Sequence, residues 1–304
     1  MVTQSITRPD VWLPRPILER LDVARGDGTH SRILVQRTER VAAPVVLCMP
    51  AMGVDAGYYL KLLDAFADYG VHAAVTDLRG KGECSVRPRR GVDFGYHEMV
   101  THDFPAAVAR LRQAFPTNRI YLLGHSLGGQ LSALYMSVRP RTVDGLVLVA
   151  SGSNDFRQWP VRQRLPILLG TQLASAIAGA YGYFPGKALR FAGTEARTVI
   201  QDWAQQARTG RYAPKHAAFD FEETLRTVDA PVLAISLVND NFAPQAAVDH
   251  LCSKMPRAQV ERWHYAPRHD VRVRADHFRW VRDPDVIVAR IGYWLTAKGA
   301  LPPR

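Results

Sequence analysis

Short unbroken apolar runs, each followed by a stretch of helical period, predict an α/β domain built on a mostly parallel sheet flanked by helices. The runs lie at 44–49, 71–76, 120–123, 143–149 and 231–237. They do not alternate with polar residues, as expected of strands buried on both faces. A further observation sets the domain plan. Between residues 151 and 228 the strand rhythm stops, while helix-like stretches and aromatic residues continue. That span is too long for a structureless connection in a compact domain. It reads as an inserted helical cap, 151–228, over a core made of residues 1–150 and 229–304.

Taken in order, the chain opens with two strands, 17–24 and 32–38, joined through Arg25-Gly26-Asp27-Gly28-Thr29. They give the sheet an antiparallel start. Arg25-Gly26-Asp27 has the form of an adhesion motif, but in this setting it reads as turn chemistry. Strand 44–49 precedes a helix at 55–69 that ends at Gly70. Strand 71–76 runs into Asp77-Leu78-Arg79-Gly80-Lys81-Gly82, and a helix at 97–115 stops before Pro116. Strand 120–123, helix 127–138 and strand 143–149 complete the first part of the core. In the cap, helical stretches at 174–181 and 194–208 accompany Trp159, Tyr181, Tyr183, Phe184, Trp203, Tyr212 and Phe219. Strand 231–237, helix 244–254, strand 259–263 and helix 285–295 close the chain.

The bulk numbers narrow the function classes. A 304-residue chain with 47% apolar and 22% charged residues has the composition of an ordinary globular protein. No apolar run is long enough to cross a bilayer, and residues 1–9 are polar, with no apolar signal region. Cys48, Cys84 and Cys252 are odd in number and widely spaced. This argues against a disulfide framework or a metal cluster and suits a reducing cytoplasm. The net charge is +11, yet only six of the 39 basic residues are lysine. There is no basic helix, finger or aromatic RNA-binding signature, so the scattered arginines read as a solvated surface and not a nucleic-acid face. Nothing in the sequence fixes an oligomeric state.

The chemistry centres on Gly124-His125-Ser126-Leu127-Gly128, a G-x-S-x-G pattern between a strand and a helix. Such a nucleophile elbow holds a serine on a sharp turn, so positions two before and two after it carry no side chain. A serine nucleophile needs a base, and the base an acid, in chain order Ser, Asp or Glu, His. Asp240, in the loop leaving strand 231–237, is the chosen acid; the bland alternative is a cap for the helix at 244. Three late histidines compete for the base: His264, His269 and His277. His277 is preferred because Phe278 and Trp280 follow it just before the last helix, while His264 ends a strand and His269 lies in a charged run. His125, beside the nucleophile, points elsewhere on the elbow and reads as structural. For the oxyanion, one donor is the backbone N–H of Leu127 and the other that of Met52, with Ala51 as second choice.

Other residues take plain roles. Asp77 anchors the loop it begins, Cys48 belongs to a buried strand, and Gly80-Lys81-Gly82 lacks the spacing of a phosphate loop. No metal or cofactor is implied. Arg79, Lys81, Arg87, Arg89 and Arg90 in one loop, and Arg268, Arg272, Arg274, Arg279 and Arg282 in another, should emerge beside the site. They read either as part of a generally arginine-rich surface or as a rim attracting an anionic substrate such as an acyl-CoA or acyl-carrier thioester.

At this point the chain resembles the α/β-hydrolase superfamily, and within it a little-characterised bacterial group of predicted α/β hydrolases. The resemblance rests on Pro50-Ala51-Met52-Gly53-Val54, the 77–82 loop, Gly124 to Gly129, Tyr183-Phe184-Pro185-Gly186-Lys187, Asp240-Asn241-Phe242-Ala243-Pro244 and His277-Phe278. It implies an eight-stranded, mostly parallel sheet, a cap after the sixth strand, and the triad Ser126, Asp240, His277. Two positions depart from the family's pattern. Many members have His-Gly where this chain has Pro50-Ala51, and the residue before the catalytic histidine, often glycine, is Asp276. The expected activity is cleavage of an ester or thioester of a small acyl substrate through an acyl-enzyme on Ser126. Acyl transfer and amide or C–C hydrolysis use the same triad, and a catalytically silent binding protein is the reading from another class.

Overall fold

A computed structural model describes residues 18–189, 191–267 and 275–302. Ten strands form: β1 (Glu19–Ala24), β2 (His30–Gln36), β3 (Val45–Met49), β4 (His72–Thr76), β5 (Ile120–His125), β6 (Gly145–Val149), β7 (Tyr183–Pro185), β8 (Thr194–Ala196), β9 (Pro231–Leu237) and β10 (Gln259–Tyr265). Eight make one sheet in the order β1-β2-β4-β3-β5-β6-β9-β10, and β7 with β8 makes a separate hairpin. β2 pairs antiparallel with β1 and β4; every other pair in the large sheet is parallel. The first residue of the strand expected at 17–24 lies outside the described residues.

The helices are α1 (Leu60–Tyr69), α2 (Tyr96–Glu98), α3 (Phe104–Ala114), α4 (Leu127–Val138), α5 (Val161–Tyr181), α6 (Arg197–Thr209), α7 (Phe221–Leu225), α8 (Gln245–Ser253) and α9 (Asp285–Ala297). Alternate residues of β3 feed two separate cores. Val45, Leu47 and Met49 pack with residues of α3, α4, α7 and α8; Val46 and Cys48 pack with those of α1 and α9. This period-2 division of a strand buried on both faces is why its sequence reads as an unbroken apolar run. Trp294 of α9 and Trp280 are almost wholly enclosed on the second face.

Two expected helices are divided differently. The helix expected at 97–115 becomes α2, a π turn at Met99–Asp103, and α3. Pro105 has no N–H for the α ladder, and the ladder widens just ahead of it. The helix expected at 55–69 opens with a 3₁₀ turn, Ala56–Tyr59, before α1.

After β6 the chain leaves the sheet. A 3₁₀ turn at Phe156–Gln158 leads to α5, which is 21 residues long, and then to the β7–β8 hairpin, α6 and α7. The helical stretch expected at 174–181 is the last part of α5, which begins at Val161. Pro166 lies inside α5, in its second turn, where its missing N–H costs one bond of the ladder. The helix expected at 194–208 starts at Arg197, and Thr194–Ala196 forms β8 instead. Left-handed Gly182 and Gly210 end α5 and α6. α5 packs on α6, while α7 returns to α4 of the sheet layer.

The chain crosses from β3 to β4 on one side and returns to β5 on the other. A crevice therefore opens at the carboxyl ends of β3 and β5, where open α/β sheets place their ligands.

Candidate active site

Ser126 stands between β5 and α4 with φ 54° and ψ −121°, in a region non-glycine residues seldom enter. The glycines around it are required by contact. A Cβ on Gly124 would overlap Gly129, and one on Gly128 would overlap the Met49 carbonyl. With no side chains at those positions, α4 seats directly on the strands, and its N-terminus lies at the serine.

Ser126 Oγ lies 3.0 Å from His277 Nε2, and His277 Nδ1 lies 2.9 and 2.8 Å from the two carboxylate oxygens of Asp240. Asp240 Oδ1 also accepts the N–H groups of Phe242 and Ala243, both at 2.8 Å. These bonds hold the carboxylate as an acceptor in a fully enclosed position. The helix-cap alternative fails, because Pro244 is the N-cap of α8 and no side chain caps it. Of the rival histidines, His264 is exposed and bonds Ser236 at 2.8 Å on the sheet edge. His269 lies outside the described residues. Asp276, the departure from the family's usual glycine, accepts the N–H groups of Phe278 and Arg279 at 3.2 and 2.9 Å and so fixes the turn just after His277.

His125 holds a position that sequence reasoning saw only as structural. Its Nε2 is 2.7 Å from the backbone carbonyl of His277, which can only accept, so Nε2 carries the proton. Its Nδ1 then accepts the Tyr59 hydroxyl at 2.8 Å, and that oxygen accepts the Ala51 N–H at 2.9 Å. Burial, reinforced by nearby His277, pushes the His125 pKa well below its ordinary value and keeps the ring neutral. The chain of bonds runs from the loop after β3 to the backbone of His277.

It also separates the two oxyanion candidates. The Ala51 N–H is taken by Tyr59, whereas those of Met52 and Leu127 make no hydrogen bond to a described residue. The Met52 loop is held from above by the β7–β8 hairpin. Glu195 of β8 pairs with Lys81 at 2.7 Å, and Lys81 also bonds the Thr194 carbonyl at 2.5 Å. Gly53 (φ 76°) has no room for a Cβ beneath the Ala192 carbonyl. Sequence reasoning missed Glu195. The available signal was that it is the first acidic residue after Asp155.

A model of the α/β hydrolase fold family matches residues 44–267. The chain belongs to the α/β-hydrolase fold family. The putative carbamate hydrolase RutD of Variovorax paradoxus is 25% identical over 225 residues, covering 66% of this chain and 75% of that protein. The esterase EaEST from Exiguobacterium antarcticum superposes with a TM-score of 0.59 at 13% identity, covering 91% of this chain and 99% of that one. A thioesterase domain from the curacin biosynthetic pathway gives 0.57 at 15%, covering 91% and 99%.

In this α/β hydrolase a cavity of about 640 Å³ opens between α5, the β7–β8 hairpin, α6 and the loop after β9. Ile167, Leu173 and Ile177 of α5, with Phe184, Phe191 and Trp203, form its walls. Phe242 lines its inner side, and the ring centroid of Phe242 is 5.1 Å from that of His277. Of the insertion's aromatics, Trp159, Phe184 and Trp203 reach this cavity, Tyr212 is buried, and Tyr181 and Phe219 are exposed.

The basic rim is smaller than the sequence suggested. Arg79 is buried, joining Asp103 at 2.5 Å to Asp27 at 2.6 Å, while Arg25 meets Asp103 at 3.0 Å. That network also settles Arg25-Gly26-Asp27 as an internal tether of the β1–β2 turn. Lys81 is committed to Glu195, Arg87 bonds the carbonyls of Gly82, Cys84 and Val86, and Arg279 pairs with Asp276 at 3.6 Å. Arg89, Arg90 and Arg282 are exposed; Arg268, Arg272 and Arg274 lie outside the described residues. Asp77 accepts the N–H groups of Ala56 and Glu83, anchoring its loop as expected. All three cysteines are buried and free, and burial pushes the Cys48 thiol pKa far up.

Proposed function

We propose that the protein is a serine hydrolase that cleaves an ester or thioester of an apolar acyl group through an acyl-enzyme on Ser126. The observation that carries this is the 3.0 Å approach of His277 Nε2 to Ser126 Oγ, with Asp240 bonded to the far nitrogen. Ser126 Oγ attacks the acyl carbonyl carbon as its proton passes to His277 Nε2. The negative oxygen so formed takes hydrogen bonds from the N–H groups of Leu127 and Met52. Collapse breaks the bond to the leaving oxygen or sulfur, which takes the proton from His277. Water then repeats the attack on the acyl-serine, giving the free acid and restoring Ser126. Residues 151–228 act as the cap, and the 640 Å³ cavity beneath them takes the acyl chain. Esterase and thioesterase neighbours in the same fold are compatible with this reading.

The test is a panel of p-nitrophenyl esters and acyl thioesters of graded chain length. kcat/KM should rise with chain length until the cavity is filled, and Ser126→Ala should lose at least about 10³-fold on every member. No turnover of any member by the wild type, or undiminished turnover by Ser126→Ala, would leave a silent binding protein on this fold as the better reading.

A further inference from the structure

α5 turns a row of apolar side chains to the outside. Val161, Leu165, Leu169 and Leu173, spaced four apart, are 76, 60, 58 and 62% exposed. Each step of four advances only about 40° around the helix, so they share one broad side. Leu189 and Phe191, in the hairpin loop, are exposed as well. Scattered surface leucines need no explanation, but a contiguous apolar row does. This row is continuous with the cavity. Leu173, Leu189 and Phe191 line it while reaching the outside, so they form its rim.

The charge around the row has one sign. From residue 156 to residue 194 the chain holds no Asp or Glu, but has Arg157, Arg162, Arg164, Lys187 and Arg190, the last outside the described residues. Arg162 and Lys187 are exposed and form no ion pair with a described residue. Arg164 spends a hydrogen bond on the Trp159 carbonyl, at 3.0 Å, and keeps its charge, whereas Arg157 is matched by Asp155. An apolar helix face edged with unmatched cations is complementary to the boundary of an anionic lipid layer. It is poorly complementary to itself. A second copy packed on the row would bring no acidic residue of this stretch to receive Arg162 and Lys187.

We propose that α5 and the adjoining hairpin loop are a docking surface for an anionic lipid surface. The helix lies in the interface plane, with Val161, Leu165 and Leu169 among the acyl chains and Arg162 and Lys187 at the headgroups. The rim of the cavity then faces the lipid phase, and an acyl ester held there reaches the cavity without crossing water. That last consequence rests on the hydrolase reading; the docking itself does not.

The test is co-sedimentation of the full chain with vesicles of phosphatidylglycerol and phosphatidylcholine, against vesicles of phosphatidylcholine alone. The wild type should bind the anionic vesicles, and more weakly as salt is raised. V161S/L165S/L169S should bind about tenfold more weakly while keeping its melting temperature and its turnover of a short soluble ester. Arg162→Glu should weaken binding severalfold, and Ser126→Ala should bind like the wild type, which separates docking from chemistry. Absent binding by the wild type, or equal binding by the triple variant, would overturn the proposal. So would a concentration-dependent dimer that the same triple variant converts to a monomer, since the row would then belong to a second copy.

Discussion

The two sides of the candidate site are built by opposite means. On the sheet side, the side chains of Asp240, His277 and His125 are each held by directional hydrogen bonds. Asp240 accepts two backbone N–H groups besides His277, and His125 links the Tyr59 hydroxyl to the His277 carbonyl. On the side of α5 and the β7–β8 hairpin the walls are apolar side chains, and a buried ion pair, Lys81–Glu195, joins β8 to the loop after β4. Directional bonds fix atoms to a fraction of an ångström, whereas apolar packing fixes a shape that many side chains could provide. On the proposed function, chemistry and selectivity fall on separately built parts, and perturbing each should give a different kind of loss.

The largest effect belongs to the sheet side. Asp240→Asn keeps the shape of the side chain but can no longer hold His277 in the tautomer that accepts the Ser126 proton. kcat should fall about 10³–10⁴-fold with little change in KM. A large rise in KM with kcat preserved would mean that Asp240 serves binding instead.

Next comes the joint between the two sides. Glu195→Ala leaves Lys81 buried without its partner, which costs about 3–5 kcal/mol in comparable buried pairs. Denaturant unfolding at about pH 8 measures it. A loss below about 1 kcal/mol would reduce the pair to a surface contact.

The pH response of that joint has a definite sign. Burial, opposed by Lys81, pushes the Glu195 pKa from 4.5 up to about 7. Burial likewise raises Asp202, which binds the N–H groups of Tyr96 and Lys215, from 3.8 to about 7. A raised acid pKa means that the folded protein holds more protons than the unfolded chain between those values. The contribution of each carboxyl is then fullest at low pH and declines as pH rises to about 7. The melting-temperature advantage of wild type over Glu195→Gln should shrink by several degrees across that window and level off above it. An advantage that grows with pH would contradict the assignment.

The smallest effect lies in the cavity wall. Ile177→Trp shortens the cavity, and kcat/KM should fall roughly tenfold for long acyl chains while short ones are hardly touched. Equal losses at all lengths would place the acyl group elsewhere.

The same contrast decides what could be read from the sequence. Gly124, Ser126 and Gly128 announce themselves because a strained turn packed against neighbouring backbone tolerates almost nothing else. Asp240 and His277 follow in the order the chemistry demands. The parallel strands are legible because burial on both faces forces unbroken apolar runs. Within residues 151–228 the individual elements were less legible than the span itself. Thr194–Ala196 takes strand form by pairing with β7 across a hairpin loop, which its own three residues do not signal. Arg79 and Lys81 looked like surface charge because burial by partners far along the chain leaves no local mark.

The most direct test of the central claim is fluorophosphonate labelling of the full chain, followed by mass mapping of the modified peptide. The account predicts one adduct per chain, on Ser126, abolished in Ser126→Ala and greatly slowed in His277→Ala. No adduct on the wild type, or an adduct that persists in Ser126→Ala, would contradict it.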